Sequence, residues 1–450
     1  MVHADVRGNP CASGNSAALA ACEQALWRMM SFHDTPLADL DTAMQADPAW
    51  ALPHVMKAGF LLSLTEATLR DEASAHISHA RALAINAPAR ELAHLEAMQQ
   101  LLEGRWAAAC RTWDALLVDH PRDALALQWV QLWDFYRGDS TGLRQRPARC
   151  LPEWDSGDPL FPHVLALHAF GLEECNLYPQ AEEAGRRALA LNACVPWAVH
   201  AVAHVMEMQG RYDEGAAWLR QCQPHWAQDN GFSRHLWWHK GLFRLEAMDL
   251  AGALRLVDKH LSGSALQVTL QRVDAAAMLW RLHLLGSDVT APCTALLADW
   301  DLSDSAAGYY AFNDVHVVLA MLGAMELQRA ERWVARCAER AMAATDARRS
   351  NHAVAREVGL PLMRGLLALA RGDAGTAADL LFPVRTQAQC LGGSHAQRDL
   401  IDQTLLAAAA QGGRSGLGRA LLNERLMAKP STPLTRHWQQ ALGASQHARA

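Results

Sequence analysis

Apolar residues recur at i, i+3, i+4 and i+7 along most of the chain, and short joints interrupt them. A joint at Gly104 is followed thirty-four residues later by one at Gly138, each after an apolar helical run. The signal returns at Tyr178 and, at the same spacing, at Tyr212. This pattern predicts helices that fold back on one another in pairs and bury their shared apolar face.

A period of thirty-four residues is typical of tetratricopeptide repeats. Degenerate joints occur at 248–250, 330–333 and 372–374, and residues 144–162 and 286–308 are predicted to be inter-repeat loops. We therefore expect an all-α fold, a tetratricopeptide-like α-solenoid of stacked antiparallel helix pairs that forms a curved superhelix with a concave groove. Its expected parts are an N-terminal segment and first helix at 1–30, the solenoid at 31–430, and a C-terminal helix and tail at 431–450.

The composition of the chain limits the classes of partner that we expect. The formal net charge is -6 and both signs are well mixed, so no basic surface is expected to hold a nucleic acid. The ten cysteines are scattered without a CxxC pair and are expected to be reduced and mostly buried. Neither a signal peptide nor a long uncharged apolar run is visible, so we expect a cytoplasmic protein without a membrane partner.

Several segments resemble the tetratricopeptide repeat protein 38 family. They are PWAVHAVAHVMEMQGRYDEGAAWL from Pro196, HLWWHKGLFRLEAMDLAGAL from His235, FNDVH from Phe312, REVGLPL from Arg356 and GGSHAQRDL from Gly392. The resemblance covers roughly residues 30–430 and implies the fold. The family is defined by its repeats, so the resemblance implies no activity, and it draws attention to these motif residues without giving them roles.

Histidines fall on helices expected to line the concave wall, since the first helix of each pair faces inward in such arrays. His200 and His204 are four residues apart, with Glu207 one turn further on the same face. His235 and His239 repeat this spacing one repeat later. The shared register predicts that the four imidazoles converge.

Further polar residues extend this set along the wall. Superimposing the joints places Asp274 opposite the position of His235 and brings His316 close to it. The predicted wall, or polar ladder, also includes His163, His168, Asp314, Arg356, Glu357, His395, Arg398 and Asp399. Each of these histidines could equally be a structural side chain bonded to backbone.

Three kinds of chemistry fit the polar wall. The four central histidines could hold a divalent metal ion, with Glu207 or Asp274 completing the ligand shell. Histidines beside Asp274, Asp314 or Asp399 could instead act as metal-free acids and bases. A metalloprotease of the HExxH type is disfavoured, because alanine and leucine follow His200 and His235.

Ser394 and the tryptophans are predicted to have mainly structural roles. Ser394 lies in GGSH, which lacks the GxSxG pattern of a nucleophile, and is predicted to cap a helix. The tryptophans around Trp237 are predicted to pack in the core, although one indole, Trp238 in our assignment, could stack on a ligand.

The sequence alone favours the first of three functions, and the second is the alternative to it. The first is a binding protein that takes a small molecule or peptide in the groove. The second is an enzyme, metal-dependent or acid–base, that acts on a small molecule there through the two HxxxH helices. The third is a scaffold that forms a homo-oligomer through its ends.

Overall fold

The computed structural model describes residues 3–344 and 347–447, and most of these residues are helical. The only paired strands among them are β1 (His3–Ala4) and β2 (Pro10–Cys11), which form a short antiparallel ladder. The predicted all-α class is confirmed. The contacts divide the chain into two compact units, Met1–Val202 with Cys222–Ser233 and Arg348–Ser350, and Ala203–Gln221 with Arg234–Ala347 and Asn351–Ala450. The predicted single solenoid at 31–430 stays a prediction.

Consecutive helices of the first unit pack in pairs, from α1 with α2 to α9 with α10. Their bounds are α1 Ser16–Ser31, α2 Leu37–Ala46, α3 Leu52–Ser63, α4 Arg70–Leu83, α5 Ala89–Leu102, α6 Trp106–Asp119, α7 Ala124–Arg137, α8 Ser140–Cys150, α9 Phe161–Glu173 and α10 Tyr178–Leu191. Helix α11 (Pro196–Met208) begins in the first unit and ends in the second.

The second unit repeats this arrangement, with α15 against α16, α17 against α18, α20 against α21 and α22 against α23. A short π-helical segment, Ala355–Gly359, joins α19 to α20. The bounds are α12 Tyr212–Cys222, α13 Ser233–Glu246, α14 Leu250–His260, α15 Thr269–Leu284, α16 Thr290–Ala298, α17 Ala311–Gly323, α18 Leu327–Met342, α19 Ser350–Val354, α20 Leu360–Ala370, α21 Ala374–Val384, α22 His395–Gln411, α23 Ser415–Ala428 and α24 Pro433–His447.

The same backbone hydrogen bond closes the joints between paired helices. At Gly104 and Gly138 the chain takes a positive φ of 75° and 68°, and the next residue donates its N–H to a carbonyl five residues earlier. This is the left-handed helix ending that glycine favours. Bonds of this kind run from Arg105 to Gln100, Asp139 to Asp134, Leu177 to Leu172, Arg211 to Met206, Asp249 to Arg244, Ser287 to Leu282, Glu326 to Met321, Asp373 to Ala368 and Arg414 to Ala409.

The positions of some joints differ from the sequence prediction. The turn before α18 lies at Met325, with a φ of 63°, whereas 330–333 lies inside the helix. The supposed loop 144–162 begins with the second half of α8, which continues through Pro147, and α16 occupies part of 286–308. The proline and glycine residues of both stretches favour loops locally, and they are the reason that loops were predicted. Packing against neighbouring helices nevertheless keeps parts of these stretches helical.

The two members of a pair differ in burial. Helix α18 buries one stripe, with Ala330, Trp333, Val334 and Cys337 at helical spacing. Its partner α17 is buried along its whole length, polar residues included. In the second unit α17 and the other first helices also contact one another, since α15 packs on both α17 and α22. Polar side chains on these first helices therefore lie inside the unit.

Two further expectations concern the described part of the chain. The cysteines are free thiols and most are buried, with Cys194 and Cys390 exposed. Among the described helices, none combines the length and the apolar character that a bilayer crossing needs.

Candidate functional site

Three histidines of the second unit meet inside it. His204 from α11 and His239 from α13 are fully buried, and their ring centroids lie 4.5 Å apart. His235 lies one turn before His239 and keeps 15% of its side chain exposed. One nitrogen from each ring lies within 4.8 Å of the others. We call these three residues the histidine centre.

Two carboxylates hold the outer edges of the histidine centre. The Nδ1 atom of His235 lies 2.7 Å from Oδ2 of Asp274, and Nδ1 of His239 lies 3.2 Å from Oε2 of Glu207. The Nε2 atoms of the two rings face each other at 3.2 Å. The four side chains thus form a continuous path from α15 through α13 to α11. Each carboxylate accepts from Nδ1, which turns Nε2 toward the interior.

Burial sets the protonation of this path. Desolvation raises the pKa of Glu207 to about 7, against the opposing effect of His204 and Lys429. Desolvation also lowers the pKa of His239 well below its usual value, and the neighbouring His204 and His235 lower it further. Because a buried imidazole is costly to charge, His239 is neutral at pH 7, and one of its ring nitrogens is an acceptor.

His200 stands one turn before His204 on α11 but belongs to the first unit. Its ring centroid lies 5.3 Å from that of Phe170, 4.9 Å from that of Trp197 and 5.0 Å from that of Phe232. These aromatic contacts lie within the first unit. The convergence of all four histidines stays a prediction, and the histidine centre is defined by residues of the second unit.

Trp238 forms one wall of the histidine centre. It is fully buried and stacks on His235, with ring centroids 5.2 Å apart and planes 17° from parallel. The guanidinium of Arg281 lies 5.6 Å from the indole centroid. The prediction of core packing is confirmed for Trp238, whose indole is covered by its own neighbours and is not an open stacking surface for a ligand.

Arg281 was missed in the sequence, although a charged residue within the apolar run of α15 is a usable signal. It is fully buried and donates to the carbonyl oxygens of Ala277 at 3.1 Å and Ala396 at 2.7 Å. These bonds join α15 to the start of α22. Arg281 therefore fixes the helix that carries Asp274.

Asp399 does not orient a histidine as predicted. It pairs with Arg425 of α23 and accepts from Gln403 at 2.6 Å. Although burial alone would raise the pKa of Asp399, Arg425, Lys429 and Arg281 together hold it well below its usual value. Asp399 lies on a helix, α22, as predicted, but the sequence does not show that Arg425 of α23 pairs with it.

Glu246 is the second anchor of the same network. This buried carboxylate accepts from Arg425 at 3.0 Å, from Lys429 at 2.6 Å and from the hydroxyl of Thr432 at 2.6 Å. The C-terminal segment is thereby tied to the helix that carries His235 and His239. These contacts span 179 to 186 residues, so no local pattern in the sequence indicates them.

Asp314 and His316 are bound locally. Asp314 accepts from the backbone N–H of Gly308 at 3.0 Å, and burial raises its pKa to about 7. His316 donates from Nδ1 to the carbonyl of Phe312, 2.7 Å away on its own helix, and burial lowers its pKa to about 4. Asp314 is therefore not placed to orient an imidazole, because its oxygen holds a turn.

The remaining predicted residues lie outside the histidine centre. Arg356 and Glu357 are exposed and pair with each other at 2.7 Å. Arg398 donates to the carbonyl of Gly393, and His395 is half-buried at the start of α22. His163, which is buried, and His168 lie in the first unit.

Ser394 caps α22, as predicted. Its hydroxyl accepts from the N–H of Gln397 at 3.3 Å, and the amide oxygen of Gln397 accepts from the N–H of Ser394 at 2.9 Å. This reciprocal pair is a capping box. Gly392 and Gly393 precede it with φ of 85° and 77°, a backbone that glycine tolerates. Ser394 thus has a structural role.

Comparison with known proteins adds little to this geometry. No protein-family model matches the chain. Similar solved structures include yeast Tom70, with 10% identity over 97% of this chain and 88% of that one, at a TM-score of 0.33. Another is the Naa15/Naa10 complex bound to HypK-THB, with 13% identity over 96% of this chain and 73% of that one, at a TM-score of 0.21. Scores this low carry no functional argument.

Proposed function

We propose that the histidine centre binds a divalent metal ion and that the protein is a metal-dependent enzyme acting on a small molecule. One observation carries this proposal. The Nε2 atoms of His235 and His239 face each other at 3.2 Å, while each Nδ1 contacts a carboxylate. Such an arrangement directs the inner nitrogens of both rings at one point.

The spacing of these nitrogens suits a shared ion. Two imidazole ligands at about 2.0–2.1 Å from a tetrahedral ion lie about 3.3 Å apart. His204, within 4.8 Å of both, supplies a third nitrogen after a small movement of its ring. Three protein ligands leave a coordination position for water or a substrate, which distinguishes catalytic zinc sites from structural ones.

The carboxylates support the same proposal. Histidine ligands of metal ions usually donate their second ring N–H to a carboxylate or carbonyl, which fixes the tautomer and orientation. Asp274 and Glu207 occupy those positions for His235 and His239. Two such pairs in one site are more specific than the HxxxH spacing alone.

The charges inside the second unit also favour a cation. Asp399 and Glu246 share the cations of Arg425 and Lys429, and Arg281 is a third buried cation. Glu207 and Asp274 contact histidines instead. When these four carboxylates are ionised, their charge exceeds that of the three cations, and a divalent ion at the histidine centre would offset the remaining charge.

Binding of a small molecule or peptide in an open groove is less well supported. Most of the polar residues that would contact such a ligand are buried, and Arg356 and Glu357 are paired with each other. His235 is the partly exposed member of the histidine centre. A small molecule that reaches this ring suits the site better than an extended peptide.

A metal-free acid–base enzyme is the second candidate. The path from Asp274 through His235 and His239 to Glu207 is continuous. A proton could pass along it, with one imidazole accepting as the other donates. Metal content separates the two candidates.

The test is elemental analysis of untagged full-length protein by plasma mass spectrometry. The wild type is compared with the double variant H235A/H239A and with H283A, which removes an exposed histidine of the same unit. We expect near-stoichiometric metal in the wild type and H283A and about one equivalent less in the double variant. Absence of metal from wild type purified and reloaded with Zn²⁺, Mn²⁺ or Fe²⁺ would contradict the proposal, as would a metal content equal to that of the wild type in a folded double variant.

We also propose that the chain belongs to the tetratricopeptide repeat protein 38 family. The support is the set of motifs from Pro196 to Gly392, which includes both HxxxH helices. Solving the structure of a family member would test it. The equivalent histidines of that protein should converge with two carboxylates behind them.

A further inference from the structure

A second group of histidines lies in the first unit, on α3 and α4. The Nδ1 atoms of His54 and His76 are 3.0 Å apart. The ring of His79 has its centroid 4.5 Å from that of His54. The ring of His54 on α3 thus lies beside both rings of α4, and these contacts depend on no residue of the histidine centre.

This group is accessible to solvent. His54 and His76 are half-buried and His79 is exposed. His76 and His79 are three residues apart on α4 and share a face, so their rings can turn toward one point. A hydrated ion can reach these nitrogens without opening the core.

The surroundings are compatible with a bound cation. Lys57, one turn after His54, donates to Asp41 at 2.8 Å, so its charge is paired. Burial lowers the pKa of His54 to about 4, with smaller contributions from His79, His76 and Lys57. The pKa of His76 is also lowered, by burial and Lys57, against Glu72 and Asp41. Ligand imidazoles must be neutral, and these two already are at pH 7.

We propose that His54, His76 and His79 form a surface site for a divalent transition-metal ion, separate from the histidine centre. Imidazole suits copper, nickel and zinc, and Cu²⁺ binds nitrogen sites most tightly in this series. His54 and His76 provide the first two ligands, and a rotation of the exposed His79 ring provides the third. Because the site faces solvent, its ion exchanges readily with the medium.

The experiment uses full-length H235A/H239A, so that ions at the histidine centre do not contribute. Added Cu²⁺ is followed by electron paramagnetic resonance, which reports the nitrogen ligands, and by titration. We expect nitrogen hyperfine structure in the spectrum of this protein. We also expect the apparent Kd for Cu²⁺ to rise about tenfold or more when the substitution H76A or H79A is introduced into the H235A/H239A background. The matched control is H120A, which removes a single half-buried histidine of the first unit.

Equal Cu²⁺ affinity in the H76A, H79A and H120A backgrounds would overturn the proposal. The thermal unfolding midpoint of H76Q/H79Q serves as the folding control, since neither ring fills the core. If Cu²⁺ binding falls only in variants with a lower midpoint, the surface site is likewise refuted. Because these measurements leave the histidine centre empty throughout, they fail or succeed independently of the enzyme proposal.

Discussion

His235 and Asp274 lie 2.7 Å apart, from Nδ1 to Oδ2, across the interface of α13 and α15. The contact fixes which nitrogen of His235 carries its proton and which one points to the interior. The aspartate is itself held, because Arg281 joins its helix to α22. The position of the His235 imidazole therefore depends on its contact with Asp274 and, behind that, on the contact of Arg281 with α22.

Replacement of Asp274 tests this contact. We expect D274A to weaken metal binding about 10–100-fold, as losses of such outer carboxylates do, with D274N intermediate because its amide oxygen still accepts a hydrogen bond. Competition with a chromophoric chelator measures the affinity. D288N, in the exposed joint before α16, is the control and should bind as wild type. Unchanged affinity in D274A would show that Asp274 has no part in metal binding.

Replacement of Glu246 tests the buried ion network. In E246A, Arg425 and Lys429 lose a shared buried partner, and removal of one member of such a network costs about 3–5 kcal/mol. Urea unfolding should show this loss of stability. The comparison is E326A, which removes an i,i+3 partner of Arg329 at a partly exposed site and should cost less than about 1 kcal/mol. Equal losses in both variants would contradict the assignment.

His163 makes stability depend on pH. Burial lowers its pKa to about 4, partly opposed by the nearby backbone of Met30. Since the unfolded value is 6.5, the unfolded chain takes up the proton first, and stability present above pH 6.5 is lost as pH falls toward 4. The full loss is about 3 kcal/mol at most. Urea unfolding of H163L at pH 7.5 and pH 5 should show a smaller decrease than wild type, whereas parallel decreases would refute this role.

Substitution of Ser394 separates capping from catalysis. S394A removes the acceptor for the N–H of Gln397 and should lower stability by about 1 kcal/mol, while S394T should keep most of it. Metal content should be that of the wild type in both variants. Loss of metal from folded S394A would show that the start of α22 contributes to the histidine centre.

Periodicity accounts for most of the features that could be predicted from the sequence. The helix pairs, the joint at Gly138 and the cap at Ser394 all come from residues close together in the chain, where spacing and turn chemistry decide the outcome. Superposition of joints also placed Asp274 opposite His235, since register carries over between neighbouring repeats.

Contacts between distant repeats could not be predicted in this way. Arg425 reaches both Asp399 and Glu246, which lie 26 and 179 residues earlier in the chain. Arg281 likewise joins helices 115 residues apart. Such pairs depend on how α15 and α23 pack against α22 and its neighbours, and no local pattern in the sequence encodes that packing.

The recurring joint hydrogen bond explains how the chain can vary without losing its helix pairs. Both bonded atoms belong to the backbone, and the left-handed residue is glycine at Gly210 but methionine at Met248 and Met325. Substitution at a joint therefore changes the backbone strain of the left-handed residue but does not remove the hydrogen bond. Insertions that lengthen a helix or loop also leave this hydrogen bond intact. The sequence can therefore diverge from a regular repeat pattern while each helical hairpin is kept.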